Sequence, residues 1–173
     1  MVCQIGPLRD LDTSRAELPS FAVAAGVRGV ELMDANKAVA RLYFEALDRR
    51  EITRLVPLFF TPGCRVHLAE VAEPLLGHDA IREHLQRQLD MYSSIRTTLD
   101  DVVAEADRLA VRLTQHVVHR ADWASRVGMV AAVGRSMTIR ANALLWLEQG
   151  RIAEAWLARD ELGMLLQLRR LRV

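Results

Sequence analysis

The hydrophobic residues of the first half of the chain recur at the three- and four-residue spacing of helices. This spacing predicts helices over residues 34–50, 51–60 and 77–92, and Asp34 is the expected N-cap of the first helix. Between the second and third helices, residues 64–70 predict one short strand.

Beyond Tyr92 the period changes to two, the spacing of strands that bury one face. Strands are predicted over residues 95–106, 109–120, 136–148 and 151–158. Gln149 and Gly150 predict a hairpin turn between the last two strands, and residues 121–134 are expected to form a linking loop. An amphipathic helix is predicted over residues 160–171.

This order of elements predicts an α+β fold in which helices cover one face of a curved antiparallel sheet. Strands that follow one another in sequence tend to pair, and helices at one end of the chain cover one face of such a meander. A twisted, half-covered meander forms a cone with an open mouth, a natural small-molecule pocket. Prolines and glycines interrupt residues 1–33, which we expect to form an N-terminal arm, either flexible or at a subunit contact. Residues 34–173 form the domain.

Composition excludes several classes of function. About half of the 173 residues are hydrophobic, enough for one sizeable core. The net charge is +1 and the charges are scattered, so neither nucleic acid nor a membrane surface is an expected partner. Two isolated cysteines, Cys3 and Cys64, predict neither a disulfide framework nor a zinc site. The absence of a leader or spanning segment predicts a cytoplasmic protein. Lys37 is the only lysine, which is typical of a GC-rich bacterial gene.

Four segments, in this order and spacing, resemble the SnoaL-like polyketide cyclases of the nuclear transport factor 2-like superfamily. They are Phe44 to Leu47, Gly77 to Arg82, Leu109 to Arg112, and Gly150 to Trp156 continuing to Asp160 to Leu165. The resemblance runs from about residue 36 to residue 171 and extends, more distantly, to limonene-epoxide hydrolases. It implies the cone-shaped α+β fold described above and a pocket for an apolar substrate.

The resemblance implies a changed catalytic site on the last strand. SnoaL-like cyclases carry a Trp-Asp-x-x-Asp segment whose first aspartate moves the substrate proton. Here Trp156 is followed by Leu157, so leucine stands where that aspartate is expected. Asp160 matches the second aspartate; it is one candidate catalytic residue, and the alternative is that it caps the final helix.

The epoxide hydrolases' residues are also replaced. In the register that the resemblance suggests, His116 and Val118 stand at the positions of the hydrolases' Arg-x-Asp pair. His67 and Ala69 stand at their tyrosine and asparagine. An alternative Arg-x-Asp pair, Arg120 and Asp122, lies four residues further along the chain with the same strand parity.

With this register, one face of each strand is expected to line an apolar pocket that contains two histidines. His116 is the expected general base or acid, and His67 is expected to hold a carbonyl or hydroxyl of the substrate. Arg159 or Arg120 would stabilise a developing enolate. The alternative for either histidine is a hydrogen-bonded interior residue, whereas His84 is expected on a solvated helix face. The expected substrate-binding residues are Tyr43, Phe44, Thr114, Val118, Arg120, Ile139, Ala141, Leu157 and Arg159.

These residues predict a cyclase or isomerase of bacterial secondary metabolism that acts on a polyketide-like intermediate without cofactor or metal. Two alternatives remain open: a binding or structural module without catalysis, and an epoxide hydrolase or epoxide-opening cyclase that depends on Asp122 or Asp160. The expected partners are a hydrophobic small molecule and a second copy of the chain. Leu144 and Trp146 on the outer sheet face predict that the homodimer forms there.

Overall fold

The computed structural model describes residues 29–132 and 134–168, and the side chains from residue 32 onward. These residues form four helices and eight strands. The helices are α1 (Gly29–Asp48), α2 (Ile52–Phe59), α3 (Gly77–Asp90) and α4 (Glu161–Gln167). The strands are β1 (Phe60–Leu68), β2 (Leu75–Leu76), β3 (Tyr92–Glu105), β4 (Arg108–His119), β5 (Trp123–Ser125), β6 (Gly128–Val130), β7 (Ser136–Glu148) and β8 (Arg151–Arg159).

Six strands form one curved sheet in the order β2-β1-β8-β7-β4-β3. The predicted four-strand meander is confirmed, because β3, β4, β7 and β8 pair antiparallel in succession. Gln149 and Gly150 form its last turn with positive φ angles of 50° and 74°. The sequence did not reveal that β1 pairs in parallel with β8. Parallel pairing of strands so distant in sequence depends on tertiary packing.

The helices α1, α2 and α3 pack on the inner face of this sheet and enclose the main hydrophobic core. On β4 and β7 burial alternates residue by residue, so each strand has one buried face. A second, smaller cluster closes one end of the sheet, where Ile139 packs with Tyr92 and Met164 of α4. The predicted α+β cone is therefore confirmed. No helix in the described part of the chain is long and apolar enough to span a membrane.

The starts of two predicted elements and one predicted loop differ from the structure. The first helix begins at Gly29, so Asp34 lies within α1 and is not its N-cap. β1 begins at Phe60 rather than at residue 64. The predicted loop over 121–134 contains a hairpin, β5 and β6, whose three-residue strands are too short to show a period. Residues 1–28, which make up most of the predicted arm, and the end of the predicted last helix lie outside the described residues.

Candidate functional site

An apolar cavity of about 70 Å³ lies between the inner sheet face and the helices α1 and α3. By this measure it has room for several water molecules. Five of the predicted substrate-binding residues line it: Tyr43, Phe44, Ala141, Leu157 and Arg159. Their role in binding a substrate stays a prediction. Leu157, at the position of the family's aspartate, is part of the apolar wall.

Aromatic rings from α1 and β1 form one wall of the cavity. The Tyr43 ring meets those of Phe44 and Phe60 edge to face, with centroids 4.9 and 5.6 Å apart. Burial raises the pKa of the Tyr43 hydroxyl well above its ordinary value, so the hydroxyl stays neutral. This wall therefore offers shape and apolar surface rather than charge.

The strongest polar feature of the cavity is a cluster that we call the polar cluster: His84, Arg159, Glu70 and Tyr92. His84 of α3 and Arg159 at the end of β8 line the cavity. Glu70, just after β1, accepts a hydrogen bond from Arg159 Nη2, and the two side chains are only 19% and 12% exposed. This ion pair fixes the guanidinium in place at the end of the cavity.

Three buried atoms of the polar cluster have no hydrogen-bond partner among the described residues. They are His84 Nε2, Tyr92 Oη and Arg159 Nη1. A buried polar atom left unpaired costs roughly 1–3 kcal/mol of folding free energy, so few such atoms occur in a native protein. Two of the three atoms belong to His84 and Arg159, which line the cavity.

The polar cluster also controls the protonation of its histidine. The pKa of His84 is lowered from 6.5 to about 4, chiefly by burial and also by the positive charge of Arg159, while Glu70 opposes the shift. His84 is therefore a neutral imidazole at physiological pH and can accept a proton. Burial likewise raises the pKa of Tyr92, so its hydroxyl keeps its proton.

A glutamine from β4 adds a second polar group to the cavity wall. Gln115 is buried, and its Nε2 donates to Thr97 Oγ1 at 3.1 Å. That hydroxyl in turn donates to Asp48 Oδ1 at 2.7 Å. The chain of hydrogen bonds from α1 through β3 holds the Gln115 amide in one orientation.

The predicted inward direction of the even-numbered residues of β4 is wrong. Leu113 and Gln115 face the cavity, whereas His116 is exposed. The family register that placed His116 inside is off by one residue, and a shift of one residue turns every side chain of a strand to the other face. The larger apolar residues Leu109, Val111 and Leu113 alternate with Ala110, Arg112 and Thr114, and this alternation already indicates the correct register.

Four predicted site residues consequently lie outside the cavity. Thr114 donates from Oγ1 to Asp100 Oδ2 at 2.8 Å, and His116 Nδ1 lies 3.3 Å from Thr138 Oγ1. Val118 shares a shallow surface depression with His116. Arg120 donates from Nε to a backbone carbonyl of α3 and is half exposed. None of the four is among the residues that line the cavity. Ile139 does face inward, but it packs in the smaller core cluster and not against the cavity.

His67 is also directed away from the cavity, because its neighbours Val66 and Leu68 line it instead. On the outer face its Nε2 lies 2.8 Å from Glu154 Oε1, and its ring stacks on Trp156 with centroids 4.9 Å apart. The hydrogen bond with His67, together with one from Arg65, lowers the pKa of Glu154. His67 therefore belongs to a hydrogen-bonded and stacked cluster on the outer face of the sheet.

Asp160, the third predicted catalytic residue, is the N-cap of α4. Its Oδ1 accepts a hydrogen bond from the backbone N–H of Gly163 at 2.8 Å. The approach is close enough that a Cβ at residue 163 would lie 2.2 Å from Asp160 Oδ2. Asp160 does not line the cavity, so the helix-cap interpretation describes its position.

We expect Asp160→Ala to lower the free energy of unfolding by about 1 kcal/mol, since α4 then loses its cap. Urea unfolding measures the loss, and Asp160→Ser, which can still cap the helix, is the matched control. Any activity should survive in both variants under conditions where they are folded. An activity lost in both folded variants would instead support a catalytic Asp160.

Sequence reasoning missed His84 and Gln88, although a signal was present. Ile81, Leu85 and Leu89 form the apolar stripe of α3, and all three are buried. Positions 84 and 88 lie on the same side of the helix, because neighbours on a helical face are three or four residues apart. His84 therefore lies on the cavity side rather than on the solvated face where it was expected. Glu70, in the turn after β1, carries no comparable sequence signal.

A curved, helix-covered sheet with an apolar cavity and one polar end defines an α+β cone protein with an internal cavity. The chain belongs to the SnoaL-like polyketide cyclase family, whose family model matches residues 37–168. No curated protein sequence matches this chain significantly. Among the described residues, no three His, Cys, Asp or Glu side chains are grouped so as to hold a metal ion.

Solved structures of several proteins share this fold. AclR, a candidate hydroxylase from Streptomyces galilaeus, is 18% identical, with a TM-score of 0.70 over 81% of this chain and 99% of its own. IdmH, a candidate polyketide cyclase from Streptomyces antibioticus, is 19% identical, with a TM-score of 0.68 over 78% and 98%. A SnoaL-like polyketide cyclase from Agrobacterium tumefaciens is 18% identical, with a TM-score of 0.65 over 77% and 97%. At these identities the comparison shows the fold alone.

Proposed function

We propose that this protein is a cytoplasmic, cofactor-independent cyclase or isomerase that acts on an apolar, polyketide-like intermediate of bacterial secondary metabolism. One observation carries the proposal: the unpaired Nε2 of a neutral histidine, His84, lies with the unpaired Nη1 of Arg159 at the polar end of an apolar cavity. A neutral base next to a fixed cation is the arrangement that enolate chemistry requires. The family assignment agrees with this chemistry.

In the proposed mechanism His84 Nε2 removes a proton from the carbon next to a substrate carbonyl. The electron pair moves onto that carbonyl, and the resulting enolate oxygen accepts a hydrogen bond from Arg159 Nη1. In a cyclisation the enolate carbon bonds to a second carbonyl carbon of the same chain, and the new alkoxide takes the proton from the His84 imidazolium. In an isomerisation the imidazolium returns the proton to a different carbon.

The apolar walls contribute by holding the reacting ends of the substrate together. Such positioning removes an entropic barrier that an intramolecular closure would otherwise have to cross. In the family the proton acceptor would come from β8, at the position of Leu157. Here the proposed proton acceptor, His84, comes from α3 on the opposite side of the cavity. Leu157 therefore contributes only apolar surface to the cavity wall.

The proposal can be tested by nuclear magnetic resonance of the histidine ring nitrogens, with β-tetralone as an apolar bicyclic ketone. Addition of β-tetralone should shift the ring signals of His84 and leave those of His116, on the outer face, unchanged. Single substitutions assign the signals. A His84 signal that does not respond at saturating ketone would contradict the proposed site.

A second candidate function, a binding module without catalysis, is favoured by Leu157, because leucine cannot move a proton. This function predicts that β-tetralone binds but that its α-hydrogens do not exchange faster than in buffer. The epoxide-hydrolase alternative finds no support at the cavity. Asp122 accepts a hydrogen bond from the backbone of Ala132 at 2.8 Å, and neither it nor Asp160 is among the cavity-lining residues.

We also propose that two copies of the chain pair through the outer sheet face. Val103 and Leu144 are 63% and 41% exposed there, beside Trp146 and Trp156. Exposed apolar groups of this kind on one face favour association with a second apolar surface.

Leu144→Arg should convert the proposed dimer to a monomer, because a charge would be placed in the apolar interface. Sedimentation velocity measures the mass of the particle. Leu162→Arg is the matched control, since Leu162 is 59% exposed on α4, away from this face. A monomeric unsubstituted protein, or a Leu144→Arg variant that stays dimeric, would contradict pairing through this face.

A further inference from the structure

A second cavity lies directly beyond the polar cluster. Its volume is about 230 Å³, and Arg159 lines both it and the inner cavity. The β5–β6 hairpin forms one side of this outer chamber, with Trp123 and Ala124 among its lining residues. Met91 and Met164 also line it. The inner cavity alone is far smaller than the roughly 300–1,000 Å³ of ordinary ligand sites.

The hairpin is held over the outer chamber by specific contacts. Arg126 donates from Nε to Glu161 Oε2 at 2.5 Å, and its backbone N–H donates to Oε1 at 3.2 Å. Trp123 packs against the smaller core cluster that contains Met164. The outer chamber combines an aromatic ring and two flexible, polarizable methionines, which adapt well to flat apolar groups, with the charged side chains of Glu70, Arg126 and Glu161.

Arg159 marks the junction of the two cavities and has an unused donor there. Glu70 accepts a hydrogen bond from Arg159 Nη2, whereas Arg159 Nη1 is buried and has no partner among the described residues. Arginine donors in a site of low dielectric bind carbonyl, enolate or carboxylate oxygens strongly. The most favourable occupant of the junction is thus an acceptor oxygen with apolar groups on both sides.

We propose that the outer chamber is a second subsite, and that the ligand is an elongated, flat apolar molecule that lies across Arg159 with an acceptor oxygen near its middle. One end occupies the inner cavity beside His84, and the other lies between Trp123 and the two methionines. The proposal deepens the proposed function, because it defines the substrate as longer than the inner cavity and as carrying its carbonyl at the junction.

Three probes of matched chemistry test the proposal: fluorenone, a flat tricyclic ketone with a central carbonyl; indanone, its two-ring analogue; and fluorene, which lacks the carbonyl. Titrations followed by tryptophan fluorescence or calorimetry should show fluorenone binding at least about tenfold more tightly than either of the other two. Equal affinities for fluorenone and indanone would overturn the second subsite. Equal affinities for fluorenone and fluorene would overturn the role of the acceptor oxygen.

Two variants of opposite kind locate the binding in the outer chamber. Trp123→Ala removes the aromatic wall of the chamber, and Ala124→Trp fills the chamber. Each variant should bind fluorenone about tenfold more weakly, while its affinity for indanone should change by less than about twofold. Val127→Trp is the matched control, because Val127 lies at the exposed tip of the same hairpin and does not line the chamber. Unchanged indanone binding also reports that each variant is folded. A fluorenone affinity that neither variant changes would overturn the proposal.

The two proposals can fail separately. If β-tetralone α-hydrogens are not exchanged but fluorenone binding depends on Trp123 and Ala124, the acid/base function fails and the second subsite stands. If exchange depends on His84 but fluorenone binding is independent of the hairpin, the second subsite fails and the proposed chemistry stands.

Discussion

Replacement of His84 by asparagine is expected to slow exchange of the α-hydrogens of β-tetralone by roughly 10²–10⁴-fold, the usual contribution of a positioned general base. Asparagine keeps much of the polarity and size of the side chain but cannot accept a proton from carbon. The rate is measured in D₂O by the loss of the α-proton resonances. This assay needs no knowledge of the natural substrate, because enolisation comes before both cyclisation and isomerisation in the proposed mechanism.

His116→Asn is the matched control, since His116 is exposed on the outer face and is directed away from the cavity. Its exchange rate should equal that of the unsubstituted protein within about twofold, a difference well below the effect of a general base. A His84→Asn variant that binds β-tetralone normally and exchanges it at the unsubstituted rate would remove His84 from the mechanism. The opposite pattern, with His116→Asn inactive, would support the sequence-based prediction of His116 as the base.

Acid should destabilise the fold through His84, with the loss confined to the window between pH 6.5 and about 4. The pKa of His84 is lowered to about 4 in the folded protein, whereas the unfolded chain keeps the ordinary value of 6.5. Between these values the unfolded state binds the extra proton, so stability falls as the pH falls. The expected loss is about 2 kcal/mol at pH 5 and about 3 kcal/mol at pH 4 relative to neutral pH.

Urea unfolding at several pH values measures this loss, and His84→Gln isolates the contribution of the histidine because glutamine does not titrate. Glu154 adds its own acid sensitivity, since its lowered pKa means that stability is lost as the carboxylate is protonated. That contribution remains in His84→Gln and cancels in the difference between the two proteins. Parallel pH profiles for the two proteins would show that His84 is not buried in its neutral form.

The two predictions for His84 have one physical cause. Burial beside Arg159 makes the protonated imidazole costly, which keeps the base free at neutral pH and makes the fold acid-sensitive. In the proposed mechanism this loss of stability is the cost of a buried, neutral base. The unpaired Tyr92 Oη and Arg159 Nη1 also lower the stability of the fold, since each is a buried donor without a partner among the described residues.

The sequence by itself determined most of the architecture. Period-two segments after Tyr92 placed β3, β4, β7 and β8 and their antiparallel order, because side-chain alternation and short turns are local properties of the chain. Helical spacing placed α3, and the turn residues Gln149 and Gly150 placed the last hairpin. The resemblance to SnoaL-like cyclases is confirmed by the family match over residues 37–168.

The sequence could have predicted which side chains of β4 face inward, but the answer depended on choosing the register of the strand correctly to within one residue. Leu109, Val111 and Leu113 alternate with small or polar residues and identify the buried face. A register taken from the family's catalytic strand placed His116 on that face instead. Because the side-chain period of a strand is two, this one step moved Thr114, His116 and Val118 together to the wrong side.

Only the tertiary structure decided which polar groups meet. Glu70 follows β1 and Arg159 ends β8, and they form an ion pair because these two strands pair in parallel across 89 residues of sequence. His84 comes near them only when α3 packs on the sheet. Neither the unpaired donors of the polar cluster nor its shifted pKa values can be inferred locally, because both depend on burial by elements distant in sequence.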